Sequence, residues 1–202
     1  MTPRMIKRSL DELAGRDADV RAALDQVGYP APRNRAPGFG SLVDIILGQQ
    51  VSAMAAAAIR ARLRACCNPM TPDAFLALDE AVLRQVGLSG RKIEYGQGLA
   101  RDILERRLDL DGLAALDDDE VIASLTAVRG LGRWSAEIYM LFALGRTDVW
   151  PADDLAIATA TQKLKRLRKK PDRKRLERIA KPWQPWRGVA ALFLWHYYKG
   201  AP

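Results

Sequence analysis

Two cysteines and a single histidine are all the thiols and imidazoles that 202 residues offer. Cys66 and Cys67 are adjacent, a spacing whose geometry suits no disulfide between them. A [4Fe–4S] cluster needs four cysteines, so no cluster is expected. With His196 as the only imidazole, no zinc site is expected either. Long apolar runs are also missing. None approaches the roughly 20 residues that span a bilayer, so no membrane is expected as a partner. The opening stretch Met1–Ser9 lacks the apolar core of a signal peptide, and a cytoplasmic location is the resulting expectation.

Strand-like alternation is absent too. Apolar residues recur with helical spacing along almost the whole chain. The apolar share is 49% and the charged share 28%, the balance of a globular protein with a real core. Ser9-x-x-Glu12 reads as a capping box that starts an early helix. Tyr29 to Gly40 is a Pro/Gly-rich connector. An apolar helix then covers Ser41 to Gly48, broken at Gln49-Gln50, and an Ala-rich helix runs from Ser52 to about Ala65. Thr71-Pro72 pairs a capping residue with proline at a first helical turn. Gly87 to Lys92 reads either as a degenerate glycine turn or as a plain connection before a helix over Ile93–Leu108. Asp117 to Glu120 opens another helix, and Trp186 to Tyr198 is a strongly apolar last one. The chain reads as all-α in two lobes. Residues 1–37 form an N-terminal helical segment packing on the C-terminal lobe, and residues 38–202 form the main domain.

Acidic charge is not in overall excess. The net charge is +8, and residues 163–178 alone hold ten basic and two acidic side chains. The other 22 basic and 22 acidic residues cancel. A polyanion meets one patch here, although many charge runs only solvate a helix face.

The most informative segment is Leu125 to Ala136, with the turn Gly130-Leu131-Gly132, followed about twenty residues later by Asp153-Asp154. A Gly-x-Gly turn that opens a helix points unpartnered N–H groups outward, where an anion such as phosphate satisfies them. A carboxylate beyond such a turn repels phosphates, so chemistry or helix capping has to justify it. The alternative is an ordinary glycine turn between packed helices.

This pattern, with Pro151 before the two acids, resembles the helix-hairpin-helix-Gly/Pro-Asp superfamily of DNA base-excision glycosylases. Arg133-Trp134-Ser135-Ala136, Pro185-Trp186-Arg187 and Leu194-Trp195 resemble the 3-methyladenine DNA glycosylase II branch. The resemblance runs over roughly residues 38 to 200. It implies a two-lobed helical fold with a DNA-binding cleft between the lobes, and double-stranded DNA with a flipped damaged base as partner. A monomer is expected, near the nucleoid in a prokaryote. It implies that Asp154 is the catalytic carboxylate, with Asp153 the alternative and helix capping the competing use of an Asp there. Gln50 matches the side chain that fills the DNA gap, with Gln49 beside it, against a reading of both as solvated helix-end glutamines. Arg129, Gly130, Leu131, Gly132 and Arg133 match the phosphate anchor. The backbone carbonyls of Gly130 and Gly132 are implied as holders of a monovalent cation, the one cofactor expected. Trp134 stands where bifunctional members carry a Schiff-base lysine, so no lyase step is expected. Trp195 is implied in the base pocket or else in the helical core. A pocket tyrosine of some relatives falls at Ile138, with Tyr139 one position away. At this length the extra N-terminal β-domain of longer alkylbase glycosylases is expected to be missing.

Cleavage of an N-glycosidic bond builds positive charge on the sugar, which an ionised carboxylate stabilises. Alkylated bases such as 3-methyladenine and 7-methylguanine are themselves cationic, and electron-rich aromatic walls attract them. Excision of such bases is the expected function. Two alternatives stay open: a deaminated, oxidised or mispaired base as substrate, or a DNA-binding module without catalysis.

Overall fold

The computed structural model describes residues 1–200. Its twelve α-helices, in chain order, are α1 (Pro3–Arg16), α2 (Ala18–Val27), α3 (Phe39–Gly48), α4 (Ala53–Cys66), α5 (Pro72–Leu76), α6 (Glu80–Gln85), α7 (Gly90–Leu104), α8 (Asp118–Thr126), α9 (Arg133–Phe142), α10 (Leu155–Leu164), α11 (Arg173–Ala180) and α12 (Arg187–Gly200). Two short 3-10 turns lie at Gly112–Ala115 and Lys181–Trp183. Among the described residues there is no strand, as the missing alternation predicted.

Most helix starts follow local chemistry. Asp117 and Glu120 form a reciprocal capping box at α8, with Glu120 N on Asp117 Oδ1 at 2.8 Å and Asp117 N on Glu120 Oε2 at 2.9 Å. Ser52 caps α4, and Thr71 caps α5 with Pro72 in its first turn. The early helix corrects the sequence reading. It starts at Pro3 with Thr2 as its cap, and Ser9 lies in mid-helix, fully buried. Thr2-Pro3 meets both demands of a helix start, so the chain is already helical when it reaches Ser9.

The chain divides into two compact units. The inserted unit, Arg35–Leu144, holds α3 to α9. There α3 packs on α4, α7 and α9, α5 packs on α7, and α8 packs on α9. Its core includes Leu42, Ile46, Leu99, Leu125 and Met140, with Phe39 edge-on to Phe75 at 5.7 Å between centroids. Gly96 is small because Phe75 lies against it: a Cβ there would come within 2.7 Å of the ring.

The terminal unit joins Met1–Asn34 to the residues from Gly145 onward. Helix α10 packs on α12, and α1 packs on α2 and α12. Leu10, Leu13, Val189, Leu192 and Phe193 are buried in it. At its centre Asp17 caps α2 and also accepts Trp183 Nε1 at 2.8 Å and Lys165 Nζ at 2.6 Å. Lys165 reaches Asp19 as well, at 2.9 Å. Burial opposes the charge on Asp17, but the bonds from Lys165 and Trp183 outweigh it and hold the carboxyl below its ordinary range. Burial likewise opposes the charge on Lys165, and its bonds to Asp17 and Asp19 outweigh that and raise it.

Candidate active site

In the terminal unit, the segment before α10 is tied down along its length. Arg187 grips Asp148 through Nε at 3.0 Å and Nη2 at 2.8 Å. Gly188 N bonds Thr147 O at 2.7 Å. Trp150 and Pro151 are buried, and Asp154 N reaches back to Pro151 O at 3.1 Å. The chain therefore arrives at Asp154 with extended backbone, φ −76° and ψ 121°. Asp154 is the cap of α10: its Oδ1 accepts Ile157 N at 2.9 Å. The same oxygen accepts Trp195 Nε1 at 3.1 Å. Two donors and the positive end of a helix fix this half-buried carboxylate in one orientation.

Capping thus belongs to Asp154, where the sequence reading put the competing cap at Asp153. Asp153 instead holds Arg173 Nη1 at 2.6 Å, and Arg173 also donates to Glu177 at 2.9 Å. Trp195 is 9% exposed, with its one polar atom committed to Asp154. The ring is thus part of the core of α12, and its N–H orients the carboxylate.

In the inserted unit, the turn between α8 and α9 has the geometry that two glycines permit. Gly130 has φ +96°, and a Cβ there would collide with the Tyr95 ring. Gly132 precedes α9 with extended backbone and no capping side chain, so the first N–H groups of α9 suit an anion. Leu131 is buried, and its N–H closes the turn by donating to Val128 O at 3.1 Å. Arg129 is exposed and pairs with Glu94 at 2.5 Å; Arg133 bonds the buried Glu137 at 3.0 Å. Trp134 is half-buried in the first turn of α9.

Gln49 and Gln50 separate sharply. Gln49 Nε2 donates to Gly130 O at 2.9 Å and to Ser135 Oγ at 3.2 Å. Gln50 is exposed with φ +55°, a left-handed conformation that costs a non-glycine residue about 1–2 kcal/mol. A cavity of about 650 Å³ opens beside them. The α7 start, Ser89, Arg91, Lys92 and Tyr95, supplies the wall opposite the hairpin residues. Lys92 Nζ donates to Leu47 O at 2.7 Å, and burial pushes its pKa down. Sequence reasoning passed over Arg91, Lys92 and Tyr95. The available signal was Ser89-Gly90-Arg91-Lys92, a cap followed by two cations.

Tyr139 leaves the expected base wall. It is fully buried in the inserted unit's core, and its hydroxyl accepts Gly38 N at 2.9 Å. Burial raises its pKa. The adjacent Ile138 is buried too. Each of the two expected cation carbonyls already accepts one hydrogen bond. Gly132 O accepts Ala136 N at 3.1 Å, the inward direction of a first helical carbonyl, and Gly130 O accepts the Gln49 amide.

The basic run lies in the terminal unit and is not uniform. Lys165 is held by Asp17 and Asp19, Arg166 lies 3.7 Å from Asp19, and Arg173 is held by Asp153. Lys169, Lys170 and Lys174 are exposed, and Pro171 is buried between the helices.

Residues 43–185 match the model of the HhH-GPD superfamily of base excision DNA repair proteins. The chain is 30% identical over 190 residues to the DNA-3-methyladenine glycosylase 1 of Schizosaccharomyces pombe, covering 91% of this chain and 83% of that protein. The solved S. pombe 3-methyladenine DNA glycosylase in complex with abasic DNA superposes with a TM-score of 0.86 at 29% identity, covering 96% of this chain and 98% of that one. The Bacillus halodurans DNA-3-methyladenine glycosidase structure gives 0.79 at 31% identity, covering 94% and 88%. The chain belongs to the HhH-GPD superfamily of base excision DNA repair proteins.

Proposed function

We propose that this protein is a monofunctional DNA glycosylase that binds double-stranded DNA and releases alkylated bases by hydrolysis of the N-glycosidic bond. The observation that carries the reading is the Asp154 carboxylate, fixed by the α10 N-terminus and by Trp195 in a family of base-excision proteins. The naming of its relatives as 3-methyladenine glycosylases supports alkylated bases as the class.

In this mechanism the C1′–N bond breaks and its electron pair stays on the departing base. The leaving base is already cationic, so it departs neutral without prior protonation by an acid. Asp154 stabilises the positive charge that grows on the sugar. Water then adds its oxygen to C1′ and releases a proton. Trp134 and Trp195 offer rings for an electron-poor base, and Gln50 fills the gap that the flipped nucleotide leaves. Arg129, Arg133 and the Gly130–Gly132 backbone take phosphate. A tryptophan in place of an amine gives no Schiff base. The protein acts as a monomer.

The test is direct. DNA carrying a panel of modified bases is incubated with the protein and the released bases are identified. Release of 7-methylguanine and 3-methyladenine is the expected result. Release of only oxidised or deaminated bases redirects the substrate class, and binding without any release leaves a DNA-binding module.

A further inference from the structure

Of two neighbouring glutamines at the end of α3, only one faces solvent, and the other explains why. Gln49 ends α3 with extended backbone, φ −66° and ψ 130°, and its amide crosses to the hairpin. There it donates to Gly130 O at 2.9 Å and to Ser135 Oγ at 3.2 Å. Ser135 is buried on α9, so the acceptor pair is rigid. Two residues upstream, Lys92 Nζ takes Leu47 O at 2.7 Å, one of the α3 carbonyls with no partner inside the helix. The chain is therefore anchored on both sides of Gly48, and the next residue, Gln50, is left-handed at φ +55° and exposed. A non-glycine residue keeps such a backbone only where its surroundings over-determine it.

We propose that Gln49 is a positioning residue rather than a DNA contact: its bonds to Gly130 O and Ser135 Oγ hold Gln50 in the strained conformation that inserts into DNA. The proposal rests on the glycosylase reading above. It has a mechanical consequence. The backbone proposed to grip phosphate and the side chain proposed to enter the gap share one amide, so they engage DNA as a single rigid piece. Removing the tether should slow extrusion of the base while sparing affinity for undamaged duplex.

The experiment compares wild type, Gln49→Met, Gln49→Lys, Gln50→Ala and the Gln49→Met/Gln50→Ala double variant. Three quantities are read: single-turnover 7-methylguanine release, the Kd for undamaged duplex, and 2-aminopurine fluorescence beside the lesion. Gln49→Met keeps the volume and loses both donors, so release should slow about tenfold. The aminopurine rise should fall with it, and Kd should move by less than about twofold. Gln49→Lys, whose ammonium can donate to both acceptors, should recover most of the rate. The double variant should be no slower than Gln50→Ala, because Gln49 acts through Gln50. Multiplying effects in the double variant would overturn the proposal, as would a Kd that weakens as much as the rate, or no recovery with lysine. A wild-type protein that releases no base refutes the glycosylase reading instead, and the aminopurine signal then judges the tether alone.

Discussion

At Asp154 one oxygen serves two donors, Ile157 N and Trp195 Nε1. That arrangement was only half legible from the sequence. The spacing from Gly132 marks the carboxylate, and the apolar run around Trp195 marks a core helix. Their hydrogen bond joins positions 41 residues apart, which no local pattern reports. The choice of cap misled for the same reason. Both acids can cap, and a distant residue, Arg173, decides by claiming Asp153. The same holds for Gln49 and Tyr139, whose partners, Gly130 and Gly38, lie 81 and 101 residues away. A prediction at this scale concerns Trp134. Base release at neutral pH should leave the strand uncut, and borohydride should trap no protein–DNA adduct. An adduct would mean that an amine elsewhere in the chain attacks the sugar.

Among elements, the α8–α9 hairpin separates two glycines that look alike in sequence. Gly130 needs its positive φ and its contact with Tyr95, whereas a Cβ at Gly132 meets nothing within 4 Å. Gly130→Ala should cost about 1–3 kcal/mol in denaturant unfolding. Gly132→Ala should stay within about 0.5 kcal/mol. Any large loss of DNA affinity in the second variant then reports close approach of a ligand to the turn. Equal destabilisation of both would contradict this packing. The basic run is the second case. Composition showed the charge, but not that Lys165 and Arg173 are tied to acids of their own unit. Lys169, Lys170 and Lys174 are among the exposed cations of the run. Changing these three to glutamine should flatten log K against log salt by roughly 0.9 for each phosphate no longer neutralised. The ranking of lesions should not move, since phosphate contacts position and base contacts specify. An unchanged slope assigns docking to the hairpin.

Across the whole chain, helical periodicity and caps made the all-α class readable. The pairing of residues 1–34 with the far end of the chain depends on long-range burial and on the Asp17 cluster. Lys165→Met, which leaves Asp17 without its cation, should lower stability by about 2 kcal/mol at pH 7, the scale of a hydrogen bond to a charged group in a partly buried pair. The pH window follows from the directions of the shifts. Asp17 lies below its ordinary value. Its contribution is therefore complete above about pH 4 and is lost as pH falls through its folded value. Lys165 lies above its ordinary value, so its share is complete below about pH 10 and is lost as pH rises through the folded one. Chemical denaturation from pH 3 to 8 should show the gap between wild type and Lys165→Met closing only at the acid end. A constant gap would deny Asp17 that role.

Whether the Asp154 carboxylate carries the chemistry is decided by single-turnover 7-methylguanine release from wild type, Asp154→Asn and Asp153→Asn, with duplex affinity measured beside it. The amide keeps the shape of Asp154 and removes its charge. Asp154→Asn should lose about a thousandfold or more of the rate while binding duplex like wild type, and Asp153→Asn should stay active. A near wild-type rate for Asp154→Asn, or an inactive Asp153→Asn beside it, would contradict the account.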